Sequence, residues 1–446
     1  MNKFLTFFTL PALLIACNPI SDAKNILTLE NKQTEIVGNE TENEQVINTL
    51  RIPKISGTNF ESILYKDLEI LGAELAVIEA KEQVSLIAAG RELQTSASIQ
   101  GGAKSITDKD SGAYGTLDVS KLLYDRGVLD LEIEAAEEKV YQSYLRYQQV
   151  AEAALIKAAT AILKHETTAG VMNLSYLKLS MAEDIVKKIE KLNNAGQIDS
   201  TLLASAQQNI DRLKLVNREA EVAYRNAASE LSSIFGVNAL KVDADISVFE
   251  RIASRKISSD NAIEIKALAS ELNSIELEID ALQASRWGSL SLRSQVDLPA
   301  STLDDKPDAM IGLMFSKTLG DGGRLEAQIS ALAVRAQQVQ NTLDFRKTEI
   351  ELELKTIDDT LDQLRSSREL REEMISNARE RTSHLEDQLA IGMSTFSAVL
   401  EAHVSLFNLE RENLEANGRI QQLELSKAAL SGQVLKTLSL KSPLQL

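Results

Sequence analysis

The chain has 446 residues, of which 44% are hydrophobic and 4% aromatic, and its formal net charge at pH 7 is −17. A single cysteine excludes a disulfide within the chain, and three histidines outside any HExxH pattern argue against a histidine-built metal centre. The excess of 65 acidic over 48 basic residues argues against nucleic-acid binding and fits poorly with an anionic lipid surface, because both partners need clustered lysine and arginine.

Residues 1–16 have the pattern of a secretory signal peptide, with Lys3 before a mostly apolar stretch too short to span a bilayer. The segment Leu14-Ile15-Ala16-Cys17 resembles the bacterial lipobox, in which the cysteine becomes the lipid-modified first residue of the mature protein. Asn18 stands where an aspartate would resemble an inner-membrane retention signal, which favours the outer membrane. We therefore expect acylation of Cys17 and a lipidated arm over residues 17–58; an ordinary signal peptide with a chance cysteine is the alternative.

The first half of the mature chain, residues 59–236, combines helical and strand patterns. Apolar residues at helical spacing predict a helix up to about residue 89, and alternating segments around a polar turn predict a β-hairpin over residues 93–124. After Gly127 a helical pattern without proline continues for roughly 66 residues, near 100 Å if it is one helix. Gly196 marks a tight tip, and a second helix returns to Gly236.

The same order of elements recurs in the second half. A shift of 196 residues places Asp125 on Asp321, Gly127 on Gly323, Gly196 on Gly392 and Gly236 on Gly432. The shift also aligns Lys121 with Lys317, Gln142 with Gln338 and Leu213 with Leu409. This register predicts an internal duplication: a connector over 237–258, a second repeat over 259–432 with a β-hairpin at 288–319 and a tip near 392, and a tail over 433–446.

The second hairpin has the clearer strand pattern. Apolar residues alternate with polar ones in the order Ser289, Leu290, Ser291, Leu292, Arg293, and again at Gln295, Val296, Asp297, Leu298. An apolar and a polar face suit a barrel wall between lipid and water, and Arg293, Gln295 and Asp297 would then line the channel. A soluble hairpin packed on helices is the alternative. Four strands cannot close a membrane barrel, whereas three chains supply twelve, so the pattern predicts a homotrimer.

Four short motifs carry a resemblance to a known family. They are the turn Leu319-Gly320-Asp321-Gly322-Gly323-Arg324, its partner Leu123-Tyr124-Asp125-Arg126-Gly127, and the tips Ala195-Gly196 and Ile391-Gly392. In their duplicated order they resemble the TolC family of outer membrane efflux proteins, over about residues 60–435. The resemblance implies a mainly α fold with a small β part. Duplicated long-helix hairpins would form an α-barrel, and four strands per chain would contribute to a trimeric twelve-stranded membrane β-barrel.

The resemblance also implies partners and sites. A homotrimer in outer membrane lipid would dock on a periplasmic adaptor (membrane fusion) protein and an inner membrane pump of ABC or RND type. The implied site residues are the adaptor-docking tips at Gly196, Leu202, Leu203, Gly392, Val399 and Leu400, a candidate pore constriction at Glu401, and the strand–helix turns at Asp125, Gly127, Asp321 and Gly323. The ion pair of the family's better-known gate is not expected, because Leu202 and Ser394 occupy the matching positions.

No enzyme, cofactor or metal site is expected. The glycines around Asp321 lack the lysine and serine or threonine of a phosphate-binding loop, and there is no GxSxG elbow. His403 has only Val399, Leu400, Leu406 and Phe407 one helical turn away, so we interpret it as a packed or tip-facing histidine.

The leading functional prediction is passive export through the outer membrane of a Gram-negative bacterium, by a lipid-anchored channel that extends into the periplasm. Multidrug efflux and type I protein secretion both stay open. A non-conducting, periplasm-spanning structural helical protein is the alternative of a different class.

Overall fold

The computed structural model describes residues 60–103, 111–236, 246–299, 308–438 and 440. All of them lie in Lys54–Leu446, the second of two units into which the chain divides. The helices are α1 Phe60–Lys66, α2 Leu68–Ala88, α3 Val128–Asn194, α4 Ser200–Phe235, α5 Ser247–Ala253, α6 Ile263–Ser285, α7 Arg324–Ala390, α8 Phe396–Ala429 and α9 Val434–Thr437. The strands are β1 Gln94–Ala103, β2 Ser111–Tyr124, β3 Ser289–Pro299 and β4 Asp308–Ser316.

The predicted boundaries can be placed against these elements. The two strand pairs fall within the predicted hairpins at 93–124 and 288–319, while the predicted connector at 237–258 contains α5 and the predicted tail contains α9. The predicted signal peptide, Cys17 and the whole predicted arm lie outside the described residues, so their assignments stay predictions.

The two longest helices, α3 and α7, have 67 residues each. At about 1.5 Å per residue, each is roughly 100 Å long. The 196-residue shift that relates the two halves of the sequence carries both ends of α3 onto both ends of α7. Neither helix contains proline, so no backbone donor is missing along its length. Gly127 and Gly323, with φ of 80° and 86°, precede the helices in the left-handed region that glycine adopts without strain.

The four strands form one antiparallel sheet in the order β1-β2-β3-β4. The central pairing joins the two hairpins, with Leu117 opposite Val296 and Asp118 opposite Gln295. A bulge between Leu122 and Tyr124 interrupts this register. The sequence predicts Leu123 on the same face as Leu117 and Val119, but the extra residue of a bulge breaks that alternation. No described strand side chain is buried, so helices do not cover either face of the sheet within one chain.

The helices bury two main apolar clusters. The larger cluster joins residues of α1 to α5, α8 and α9, and Tyr147, Leu155 and Phe249 are among its fully buried side chains. Four alanines of α3 contribute to it and allow close helix approach: Ala151, Ala158, Ala159 and Ala161 are at most 1% exposed. The smaller cluster combines residues of α3, α4 and α8, including Ile189, Ala206 and Leu400. The tips that end these helices are therefore held to one another by a shared core.

Candidate functional site

The two strand–helix turns have the same hydrogen-bond geometry. In the first, Asp125 accepts from the backbone N–H groups of Gly127 at 3.0 Å and Leu129 at 2.8 Å. In the second, Asp321 accepts from Gly323 at 2.9 Å and Leu325 at 2.7 Å. These bonds, that from Leu325 foremost, hold the pKa of Asp321 below its usual range. Both carboxylates thus satisfy helix N-terminal donors, which supports the interpretation of these glycine-rich segments as turns.

One face of the sheet is polar and hydrogen-bonded across the strands. Arg293 pairs with Asp118, with 2.6 Å between Nε and Oδ2. The hydroxyl of Thr116 donates to Asp297 at 2.8 Å, and the Gln295 amide donates to the same carboxylate at 3.1 Å. The three residues predicted to line a channel therefore share one face of the sheet, where they form two hydrogen-bonded groups.

The opposite face is apolar and exposed. Its side chains include Ile99 at 85% exposure, Leu117 at 40%, Ile311 at 74%, Leu313 at 68% and Phe315 at 64%. Water-soluble proteins seldom leave so many large apolar side chains side by side on one sheet, because each loses the free energy of burial. The face therefore requires an apolar cover that one chain does not provide.

The predicted tips are tight turns at one glycine each. Gly196 has φ of 67° and Gly392 has φ of 75°, and a Cβ at either position would meet no atom within 4 Å. A polar side chain then caps each returning helix: Asp199 accepts from Thr201 at the start of α4, and Thr395 accepts from the N–H of Ala398 at 3.2 Å in α8. The tips thus need glycine for backbone conformation alone.

The side chains predicted for docking differ in accessibility. Leu202 and Leu203 are partly exposed, whereas Val399 and Leu400 are only 1% and 0% exposed because they pack inside the helical core. Buried side chains cannot contact a docking protein directly, so these two are corrected to internal supports of the tip. Exposed apolar side chains are instead found at Ile391 and Met393, at 70% and 75%.

Glu401 and His403 lie close together near the second tip. Glu401 is exposed on α8, so its carboxylate is available to solvent, and its role in a constriction stays a prediction. His403 is 8% exposed, and its Nε2 lies 2.7 Å from Glu386 Oε1 of α7. The packed interpretation agrees with this burial. The acidic partner comes from the other helix, which the spacing within one helix cannot reveal.

Two further polar sites join distant parts of the helical structure. Glu410 of α8 contacts Lys178 of α3 at 3.1 Å and Arg379 of α7 at 2.7 Å. Glu152, 5% exposed on α3, accepts from the backbone N–H of Leu435 at 3.3 Å. Neither site was predicted, because sequence spacing gives no signal for partners this far apart in the chain.

Trp287 is also absent from the predicted site residues. It precedes β3 and is 56% exposed, with the Arg126 guanidinium carbon 4.2 Å from its ring centroid. A lone tryptophan beside an alternating strand is a sequence signal that could have identified it.

Within the described ranges, no cluster of His, Cys, Asp or Glu could hold a metal ion. No helix in the same ranges combines the length and apolarity needed to cross a membrane.

Gly392→Ala should destabilise the protein by about 1 kcal/mol. Alanine is strained in the left-handed region that this position adopts, and its Cβ would clash with no other atom. Gly72→Ala is the matched control. This exposed glycine lies inside α2 with no atom within 4 Å of a Cβ, so alanine should stabilise by up to about 1 kcal/mol. Thermal unfolding followed by circular dichroism measures the stability change of each variant. Changes of the same sign would contradict the assignment of Gly392 to a left-handed turn.

The sequence matches no protein-family model and no curated protein. Solved structures are similar in fold. The outer membrane protein VceC of Vibrio cholerae has a TM-score of 0.70 at 16% identity, with 83% of this chain and 95% of that chain covered. CusC, whose structures describe transmembrane channel formation, gives 0.68 at 16% identity, with 83% and 90% covered. The open state of the Neisseria gonorrhoeae MtrE outer membrane channel gives 0.67 at 15% identity, with 83% and 88% covered.

These similarities confirm the predicted fold class, mainly α with a small β part. Over most of its length, the chain has the fold of the TolC-like outer membrane channels.

Proposed function

We propose that three copies of the chain form an outer membrane channel-tunnel that passively exports substrates received from an inner membrane pump and a periplasmic adaptor. The observation that carries this proposal is the sheet, which is polar and hydrogen-bonded on one face and apolar and exposed on the other. Lipid on the apolar face and water on the polar face would satisfy both. The solved structures of similar fold are outer membrane channels, which supports the same function.

The open edges of the sheet support closure by a trimer. β1 and β4 are its two edge strands and pair with no other strand of the described chain. In an antiparallel meander of four strands, β4 of one chain and β1 of the next can pair antiparallel. Three sheets would then give twelve strands and leave no edge, as a membrane requires. The strands have 9 to 14 residues, enough to cross the apolar layer at a tilt.

The long helices would continue this barrel as a periplasmic tunnel. We place adaptor docking at the tips around Gly196 and Gly392, through the accessible Leu202, Leu203, Ile391 and Met393. Val399 and Leu400 would hold the second tip from within, and the exposed Glu401 would constrict the pore. Acylation of Cys17 would anchor each chain in the outer membrane.

The channel would be no enzyme, and the pump would select the cargo. Multidrug efflux and type I secretion are therefore both compatible with this chain. A non-conducting structural helical protein remains the competing function. It leaves the exposed apolar face of the sheet without a cover, which favours the channel.

Conductance in planar bilayers tests the proposal. Purified protein should form discrete channels that prefer cations, because the chain is acidic overall and the polar face of its sheet includes Asp118 and Asp297. Arg293→Gln should increase the cation preference, since it leaves Asp118 without its partner. Lys66→Gln removes an exposed cation outside the sheet and is the control.

Reversal potentials under a salt gradient measure the preference. Absence of discrete channels would favour the structural protein, and equal permeability to cations and anions would overturn the electrostatic part of the proposal.

A further inference from the structure

Two cations share one exposed indole ring where the helices meet the sheet. Trp287, the only tryptophan of the chain, lies between α6 and β3. The Arg126 guanidinium carbon is 4.2 Å from the ring centroid, and Lys317 Nζ is 5.7 Å from it. Both distances are within the range of cation–π attraction. The three side chains come from three separate segments, which the pairing of β2, β3 and β4 brings together.

The backbone at Arg126 is strained. Among the residues that the structure describes, Arg126 is the only non-glycine with a positive φ, at 62°. The matching position of the second repeat is Gly322, which adopts the same region at 68° without strain. A left-handed residue with a Cβ has a cost that recurs at functional sites. Glycine would adopt this conformation without strain, so we attribute the presence of arginine at this position to its side chain.

The backbone at Gly288 brings Lys317 to the same ring. Gly288 has φ of 82°, and a Cβ there would overlap the Ser316 carbonyl oxygen and lie 3.0 Å from Lys317 Cβ. Only glycine allows the start of β3 to approach the end of β4 this closely. The close approach of β3 to β4 therefore positions Lys317 beside Trp287, and no carboxylate is needed to attract it.

Neither cation is paired with an acidic side chain of the described ranges. Neighbouring basic residues form ion pairs, Arg91 with Asp130 and Arg286 with Glu326. The Asp125 carboxylate accepts backbone N–H groups. Within the described part of the chain, no carboxylate pairs with Arg126 or Lys317. Two cations that no described carboxylate neutralises therefore lie side by side, and this arrangement is complementary to an anion.

We propose that Arg126, Trp287 and Lys317 bind the phosphate of an anionic phospholipid headgroup at the membrane–water boundary. The proposal rests on the proposed function, in which the sheet spans the membrane. Exposed Leu313 and Phe315 end the apolar face just before Lys317. An indole with an apolar body and a polar N–H favours the boundary between acyl chains and headgroups, where arginine and lysine bind phosphate. The acidic composition disfavours an anionic surface in general, and this site would supply the local attraction.

Because Trp287 is the only tryptophan, its fluorescence reports on this site alone. The full-length protein is reconstituted in phosphatidylcholine bilayers that contain either brominated phosphatidylcholine or brominated phosphatidylglycerol, and bromine quenches the indole on contact. Brominated phosphatidylglycerol should quench the Trp287 fluorescence more strongly than brominated phosphatidylcholine. Arg126→Gly and Lys317→Gln should each lower this preference about fivefold. Arg126→Gly relieves the strained backbone, so loss of folding does not complicate the result. Lys188→Gln removes an exposed lysine near the first tip and should leave the preference unchanged.

The outcomes separate this inference from the proposed function. Equal quenching by the two lipids, or a preference that both variants keep, overturns the lipid site, while channel conductance would still support the proposed function. Inorganic phosphate that abolishes the preference more effectively than chloride at equal ionic strength would show a soluble anion site and overturn the lipid assignment. No quenching by either lipid, together with absent conductance, would contradict both.

Discussion

Replacement of Glu410 by alanine should destabilise the protein by up to about 3 kcal/mol, because it leaves a mostly buried lysine without its partner. The Lys178 side chain is 10% exposed and the Glu410 side chain 14%. Arg379, at 65% exposure, can return to water when its partner is lost. Burial alone would raise the pKa of Glu410, but the bonds and charges of Arg379 and Lys178 hold it below the usual value. The pair therefore stabilises the fold above pH 4.5, and this contribution is lost as the pH falls through the lowered pKa.

Thermal or denaturant unfolding at neutral pH measures the loss. Glu412→Ala, at an exposed position of the same helix, is the matched control and should change stability by less than about 0.5 kcal/mol. The double variant Lys178→Met with Glu410→Leu should recover most of the loss, because it removes both buried charges and keeps the volume. Equal stability losses in the two alanine variants would contradict a stabilising contact between Glu410 and Lys178. The contact joins α3 of the first repeat to α7 and α8 of the second, so the loss should also loosen the helices near the tips.

Glu152→Gln should stabilise the protein at pH 8 by up to about 3 kcal/mol and have little effect at pH 5. Burial raises the pKa of Glu152 to about 7, although the backbone N–H groups of Leu435 and Val434 and the charge of Lys266 act in the opposite direction. The carboxyl group keeps its proton to a higher pH in the folded than in the unfolded chain. Its contribution to stability therefore decreases as the pH rises from about 4.5 to about 7, and the full penalty is present above that range.

Glutamine retains an oxygen that can accept from Leu435 but carries no charge to desolvate. Unfolding curves at several pH values compare it with the native chain and with Glu137→Gln, an exposed position of the same helix. A stability difference that does not change between pH 5 and pH 8 would contradict a buried, titrating carboxyl at residue 152.

The repeat, the helices and both hairpins could be predicted because their signals are local. Left-handed glycines at the tips, long segments without proline and alternating strands depend on neighbouring residues only. The aspartates of the two strand–helix turns could be predicted for the same reason, because Asp125 and Asp321 accept from backbone N–H groups only two and four residues further along. The bulge in β2 is an exception, since an extra residue depends on the partner strand and not on its own sequence.

The accessibility of the tip residues could be determined only from the tertiary structure. Leu203 and Val399 each lie seven residues after the glycine of their tip, yet only Val399 is buried against other helices. Helical spacing shows which residues share a face, but not which of the available helices covers that face.

The sequence by itself determined the order of the long helices and the strands, the duplication and the two-faced strands, because backbone conformation and side-chain alternation are set over a few residues. The tertiary structure alone decided which side chains meet across the fold: Glu410 with Lys178, His403 with Glu386, and Arg126 and Lys317 with Trp287. These contacts join residues between 17 and 232 positions apart. Their existence depends on the packing of whole helices and strands, a property that no local sequence pattern carries.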